Sequence, residues 1–139
     1  MQPAYRYDHI HLRARDPEAT MAFYVKMFDA KRVAFVQSNG LPREDLDLNG
    51  LTIFIAENTP GVELPDAPAG NYYGLDHIGL RVDDVDAAVA ELKRRGAAII
   101  KGPVTIRPGV RIAFVQGPDH VRIELLQRDG FEISEAMGR

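Results

Sequence analysis

Cysteine is absent from this 139-residue chain, which excludes disulfide staples and thiolate chemistry and leaves nitrogen and oxygen donors for any bound metal. No apolar run approaches the length needed to cross a bilayer. A positive excess is missing too. The formal net charge is −3, whereas nucleic-acid binding needs a clustered basic surface. The N-terminal Met-Gln-Pro-Ala-Tyr-Arg lacks the apolar core of a secretory signal. The expected partner is therefore a small molecule, with no nucleic acid and no membrane, and the expected location is cytoplasmic. What remains is an ordinary globular balance, 45% hydrophobic and 27% charged, in a chain long enough for a proper core.

Two six-residue stretches stand out: Asp8-His9-Ile10-His11-Leu12-Arg13 and Asp76-His77-Ile78-Gly79-Leu80-Arg81. They match at five of six positions and lie 68 residues apart. Each alternates polar and apolar side chains, the period of a strand with one buried face. Ile10, Leu12, Ile78 and Leu80 are expected to face one way, and His9, His11, Arg13, His77 and Arg81 the other. A histidine recurs at the same place on the same strand face in both halves.

Each repeat is followed by the same series of elements. Asp16 is placed to cap a helix, Pro17 suits its first turn, and Glu18 favours the positive end of the dipole; the helix is expected to reach about Phe28. Arg32–Val36, Glu44–Leu48 and Leu51–Ala56 then read as strands, with Asn49-Gly50 as a hairpin turn. In the second half Asp84 is the cap, and Val85, Ala88, Val89 and Leu92 give an apolar stripe at helical spacing. Gly96 suits the position after the helix, where positive φ is needed. Strands are expected at Ala98–Ile100, Arg111–Val115 and Val121–Leu126, with a turn at Gly117–His120. Between the halves, Glu57–Gly74 is rich in Pro, Gly and Asn and reads as a connector. The tail from Gln127 is polar, with room for a short final helix.

On the closing strand an acid, Glu124, interrupts an otherwise apolar pattern, which is expensive unless the carboxylate is paired or metal-bound. His9, His77 and Glu124 are thus three ligand-type residues expected on the same side of their strands. Two imidazoles and a carboxylate form a facial triad that leaves coordination positions open for substrate. His11, whose counterpart is Gly79, is better suited to lining a pocket or moving a proton. His120, in a turn, reads as structural. Arg13 and Arg81 have a bland alternative to anion binding, namely cross-strand pairing.

The paired β-α-β-β-β modules, the Asp-His-Ile openings and the ending Gly117-Pro118-Asp119…Arg122-Ile123-Glu124-Leu125-Leu126 resemble the vicinal oxygen chelate superfamily. That group includes glyoxalase I, methylmalonyl-CoA epimerase, extradiol dioxygenases and the bleomycin and fosfomycin resistance proteins. The resemblance covers Tyr5 to Gln127. It implies an α+β fold of two tandem β-α-β-β-β modules whose sheets form a cup with the helices outside. This gives a single domain over residues 1–139, with module one at about 5–58, a linker at about 59–73, module two at about 74–128 and a polar tail. It also implies His9, His77 and Glu124 as ligands of one divalent ion (Fe, Zn, Ni, Mn or Co), and a homodimer.

Superposing Leu51–Ile55 on Val121–Leu125 places Phe54 opposite Glu124, where glyoxalases and the epimerase carry Glu or Gln. Phe54 can be neither ligand nor base, and Glu57 is expected on the opposite face unless a bulge intervenes. The three-ligand set then resembles that of the extradiol dioxygenases. The leading expectation is ring-cleaving dioxygenation of a small catechol-type substrate, with His11 or Tyr7 as proton-transfer group. The alternatives are a glyoxalase I- or epimerase-like isomerase and a metal-free drug-binding resistance protein. Strand parity is expected to put Tyr7, His11, Arg13, Thr52, Phe54, Ala56, Arg111, Ala113 and Val115 on the ligand face, with Arg13, Phe54, Arg81 and Arg111 contacting substrate.

Overall fold

Helix α1 (Pro17–Phe28) begins where Asp16 accepts a hydrogen bond from Ala19 N at 3.1 Å and stops at Asp29, which turns left-handed at φ 57°. Helix α2 (Val85–Arg94) is capped the same way, with Asp84 accepting from Ala87 N at 3.0 Å. Gly96, just beyond it, has φ 97°. The stripe Val85, Val89 and Leu92 is buried, and each such side chain contributes about 1.5–3 kcal/mol on leaving water.

The computed structural model describes residues 2–56 and 58–129. Glu57 and the expected final helix therefore lie outside the described residues. Among the described residues no helix is long and apolar enough to cross a membrane. The chain divides into two compact units, Met1–Pro65 and Asp66–Arg139.

The first unit holds β1 (His9–Arg13), α1, β2 (Lys31–Val36), β3 (Pro42–Leu48) and β4 (Leu51–Ala56). Its sheet runs β1-β4-β3-β2, with β1 and β4 parallel. The second unit repeats this order with β5 (Ile78–Arg81), α2, β6 (Ile99–Arg107), β7 (Val110–Gln116) and β8 (Arg122–Arg128), its sheet running β5-β8-β7-β6 with β5 and β8 parallel. Each unit is α+β. Pairing the first strand with the last brings residues more than 40 positions apart onto one strip of sheet, where the candidate ligands lie.

Register fixes the faces. Ile10 pairs with Ile53, and Ile53 with Leu46, so these apolar residues share the face covered by α1, with Met21 and Tyr24 buried against it. His9, His11 and Arg13 pair with Thr52, Phe54 and Ala56 on the other face. In the second unit Ile78 pairs with Ile123 and Leu80 with Leu125 under α2, while Gly79 pairs with Glu124 on the open face.

Strand β7 departs from the expected parity. Phe114 pairs with Glu124, whereas Arg111, Ala113 and Val115 pair with Gln127, Leu125 and Ile123. These three therefore belong to the helix side; Ala113 and Val115 are fully buried there. Arg111 Nε and Nη2 donate to both carboxylate oxygens of Asp86 in α2, at 2.7 and 2.9 Å. The reason is register: alternation assigns β7 two faces, and only its pairing with β8 says which is which.

Strand β6 also outruns its expected end at Ile100. Gly102-Pro103 looks like a breaker, but β6 is an edge strand and absorbs the pair through register shifts around Lys101.

Candidate functional site

In the second unit, His77 directly precedes β5 and lies diagonal to Glu124 across the parallel pair. Its Nε2 is 2.6 Å from Glu124 Oε2, and its Nδ1 is 2.7 Å from Asp76 Oδ2. Glu124 is 9% exposed. Asp76 is held in turn by Arg122, whose Nη2 donates to Oδ1 at 2.5 Å while Nη1 donates to Asn71 Oδ1 at 3.0 Å. The hydrogen bond from His77, with the positive charge of Arg122 adding to it, keeps the Asp76 carboxyl below its ordinary value. Phe114 meets His77 edge-on at 5.0 Å between ring centroids. Beside Glu124 the space is open, since a Cβ built on Gly79 would meet nothing within 4 Å.

The first unit repeats half of this. His9 Nδ1 lies 2.6 Å from Asp8 Oδ2. Where a carboxylate faces His77, however, the ring of Phe54 stacks on His9, with centroids 3.8 Å apart and planes at 24°. His11 meets Phe54 edge-on at 6.0 Å. The Arg43 guanidinium lies over Phe54 at 4.3 Å and near Phe35 at 5.6 Å, and its Nε donates to Asp45 at 2.9 Å.

Of the other candidates, Tyr7 is 60% exposed just before β1, and desolvation followed by the charge of Asp8 pushes its phenol up. Arg13 is exposed on β1. Arg81 Nη2 donates to the Arg128 carbonyl at 3.2 Å. Arg111, expected on the ligand face, is tied to α2 on the opposite one. His120 sits at φ 62° with Nδ1 2.6 Å from the Ala67 carbonyl, so it serves the turn and the loop. Arg43 and Asn71 escaped the sequence reading, whereas Arg122 is expected from strand parity on the His77 side and pairs there with Asp76. Arg43 had a signal, since its spacing places it with Asp45 and Asp47 on one strand face.

The second-unit pair suits a metal. At 2.6 Å the His77 and Glu124 atoms share a proton, which a divalent ion could replace with a small parting of the two side chains, and Asp76 fixes which imidazole nitrogen is turned to Glu124. Both donors are of the borderline-hard N and O type that divalent first-row ions accept. Among the described residues no group of three or more His, Asp or Glu side chains is gathered into a complete metal cluster.

The Glyoxalase/Bleomycin resistance protein/Dioxygenase superfamily model matches residues 6–125. The chain belongs to this superfamily. A probable chloroplastic lactoylglutathione lyase of Arabidopsis thaliana is 30% identical over 129 residues, covering 86% of this chain and 35% of its own. The chain thus spans only about a third of that relative's length, and about half of the probable lactoylglutathione lyase of Vibrio cholerae. Among solved structures, a glutamine mutant of the fosfomycin resistance protein FosX from Listeria monocytogenes aligns with a TM-score of 0.67 at 20% identity. It covers 99% of this chain and 98% of its own, and is complexed with Mn(II) and 1S,2S-dihydroxypropylphosphonic acid. TnmS3, an antibiotic binding protein from a Streptomyces species, aligns with a TM-score of 0.67 at 25% identity, over 92% of this chain and all of its own. The superfamily fold is thereby matched over nearly the whole chain. The reactions of its members differ.

Proposed function

We propose that this superfamily member is a divalent-metal enzyme that binds a small substrate through two adjacent oxygens. His9, His77 and Glu124 are the metal ligands, with His9 supplied by the same chain or by a second copy in a homodimer. The observation that carries the reading is the 2.6 Å contact between His77 Nε2 and Glu124 Oε2, with Asp76 on the far nitrogen. A divalent ion held there supplies Lewis-acid polarisation of the two substrate oxygens.

The chain's own residues do the rest. Asp76 and Asp8 orient the imidazoles through their Nδ1 atoms. Gly79 leaves room beside Glu124. His11 and Tyr7 are the proton-transfer candidates; the raised Tyr7 phenol stays protonated at neutral pH and is suited to donate. Phe54 supplies no base, which favours ring-cleaving dioxygenation of a catechol-type substrate as the leading reaction. A lactoylglutathione lyase-like isomerisation is the second reading, favoured by the 30% identity to the Arabidopsis relative.

Assay of protein reconstituted with Fe, Ni, Zn, Mn or Co, against catechols and against methylglyoxal with glutathione, separates the two. Turnover of neither, by protein that retains no metal, would leave a drug-binding role like that named for TnmS3. Sedimentation as a strict monomer at micromolar concentration would remove the version with a shared site.

A further inference from the structure

We infer that Arg43 is the centre of an oxyanion-binding subsite on the open face of the first unit, which takes the carboxylate or phosphoryl group of a small organic ligand. The inference rests on the proposed reading only in taking this face as the one that meets substrate.

Phe54 is sandwiched, with His9 on one side at 3.8 Å and the Arg43 guanidinium at 4.3 Å. The ring holds the guanidinium plane, and Asp45, itself buried, fixes its Nε end at 2.9 Å. Among the described residues no acceptor is hydrogen-bonded to Arg43 Nη1 or Nη2. A pre-oriented fork with its outer N–H groups unused matches two oxygens of a carboxylate or phosphate.

The surroundings agree with this. Ala56, two residues beyond Phe54 on β4, pairs with Arg13 and lines the same cavity as Arg43. That cavity, of about 700 Å³ at the rim of this face, has His11, Arg43, Gln37 and Ala56 in its wall and, from the helix side, Pro17 and Met21 of α1 together with Ile55. Three carboxylates also border it, and each is engaged: Asp16 caps α1, Glu18 binds Arg32 through both oxygens, and Glu44 lies 3.7 Å from Arg32. Arg43 therefore keeps donors to offer there.

The test is titration of the metal-free protein with glycolate, inorganic phosphate and neutral glycolamide, followed by NMR or calorimetry. Saturable binding of glycolate or phosphate but not of glycolamide is expected; the two anion arms tell carboxylate from phosphoryl preference. Arg43→Gln is expected to weaken it by about tenfold or more, and Arg43→Lys to fail to restore it, since an ammonium lacks the fork. Arg111→Gln, on the other face, is the unchanged control, and amide spectra confirm that each variant is folded. Equal affinity in wild type and Arg43→Gln, equal binding of glycolamide, or no saturation by either anion would overturn the inference. Metal content is measured separately, so loss of the metal reading leaves the anion result interpretable.

Discussion

Phe54 and Glu124 occupy the same position in the two units, each on the last strand and each against the repeated histidine. Glu124 meets His77 at 2.6 Å, and Phe54 stacks on His9 at 3.8 Å. One copy of the module carries a carboxylate at this position and the other an aromatic ring. Phe54→Glu gives the first unit the carboxylate of the second. The variant is expected to bind Mn or Zn more tightly than wild type, read by competition with a chelator, at some cost in stability from the lost stacking with His9 and Arg43. Unchanged metal affinity would show that the two positions are not equivalent.

Removing a proposed ligand acts in the opposite direction. His77→Ala and Glu124→Gln are each expected to lose metal by well over about tenfold, whereas His120→Ala is expected to keep it, since His120 bonds the Ala67 carbonyl instead. Metal analysis after reconstitution with each ion decides. Equal content in wild type and His77→Ala would make the repeated histidines structural.

Arg122 reaches the site only through Asp76, so its variants test orientation rather than ligation. Asp76→Asn and Arg122→Gln are expected to weaken metal binding by about 10–100-fold while leaving the ligands in place. The expected signature is a shift in the His77 imidazole nitrogen resonances. An unmoved His77 spectrum in Asp76→Asn would contradict the orienting role.

The acid limb of stability depends on two ion pairs that tie helix to sheet. Arg32 holds Glu18, and Arg111 holds Asp86, in each case chiefly by hydrogen bonding, and both carboxyls lie below their ordinary values. A depressed folded-state value means the stabilisation is complete above the unfolded carboxylate range, about 4, and is lost as pH falls through the folded value. The melting temperature is therefore expected to drop less steeply below about pH 4 in Asp86→Asn than in wild type. Parallel curves would show that this pair contributes nothing.

Two glycines are expected to respond differently to alanine. At Gly102, with φ 82°, a Cβ would stand 2.6 Å from the Ile112 carbonyl oxygen, and backbone must move. Gly102→Ala is expected to cost about 1–3 kcal/mol or more in urea unfolding, and Gly79→Ala within about 0.5 kcal/mol of nothing. The order reversed would mean that the β6 bulge is softer than its geometry implies.

Much of the fold was legible along the chain because it is governed locally. Asp16 and Asp84 announce their helices by capping chemistry, Asn49-Gly50 announces a hairpin, and alternation from His9 and from His77 separates an apolar face from a polar one. The duplication itself was visible as Asp-His-Ile repeated. Tertiary pairing decided the rest. Whether Arg111 or Phe114 shares a face with Glu124 depends on the register of β7 against β8, which a period of two leaves open. That Gly102-Pro103 lies inside a strand follows from β6 being an edge, where a missing N–H and a bulge cost little. Arg43 over Phe54 and Arg122 on Asp76 join residues 11 and 46 positions apart, and no local pattern in the sequence couples them. Local chemistry chose the elements; the parallel pairing of first strand with last chose which side chains meet on the face away from the helices.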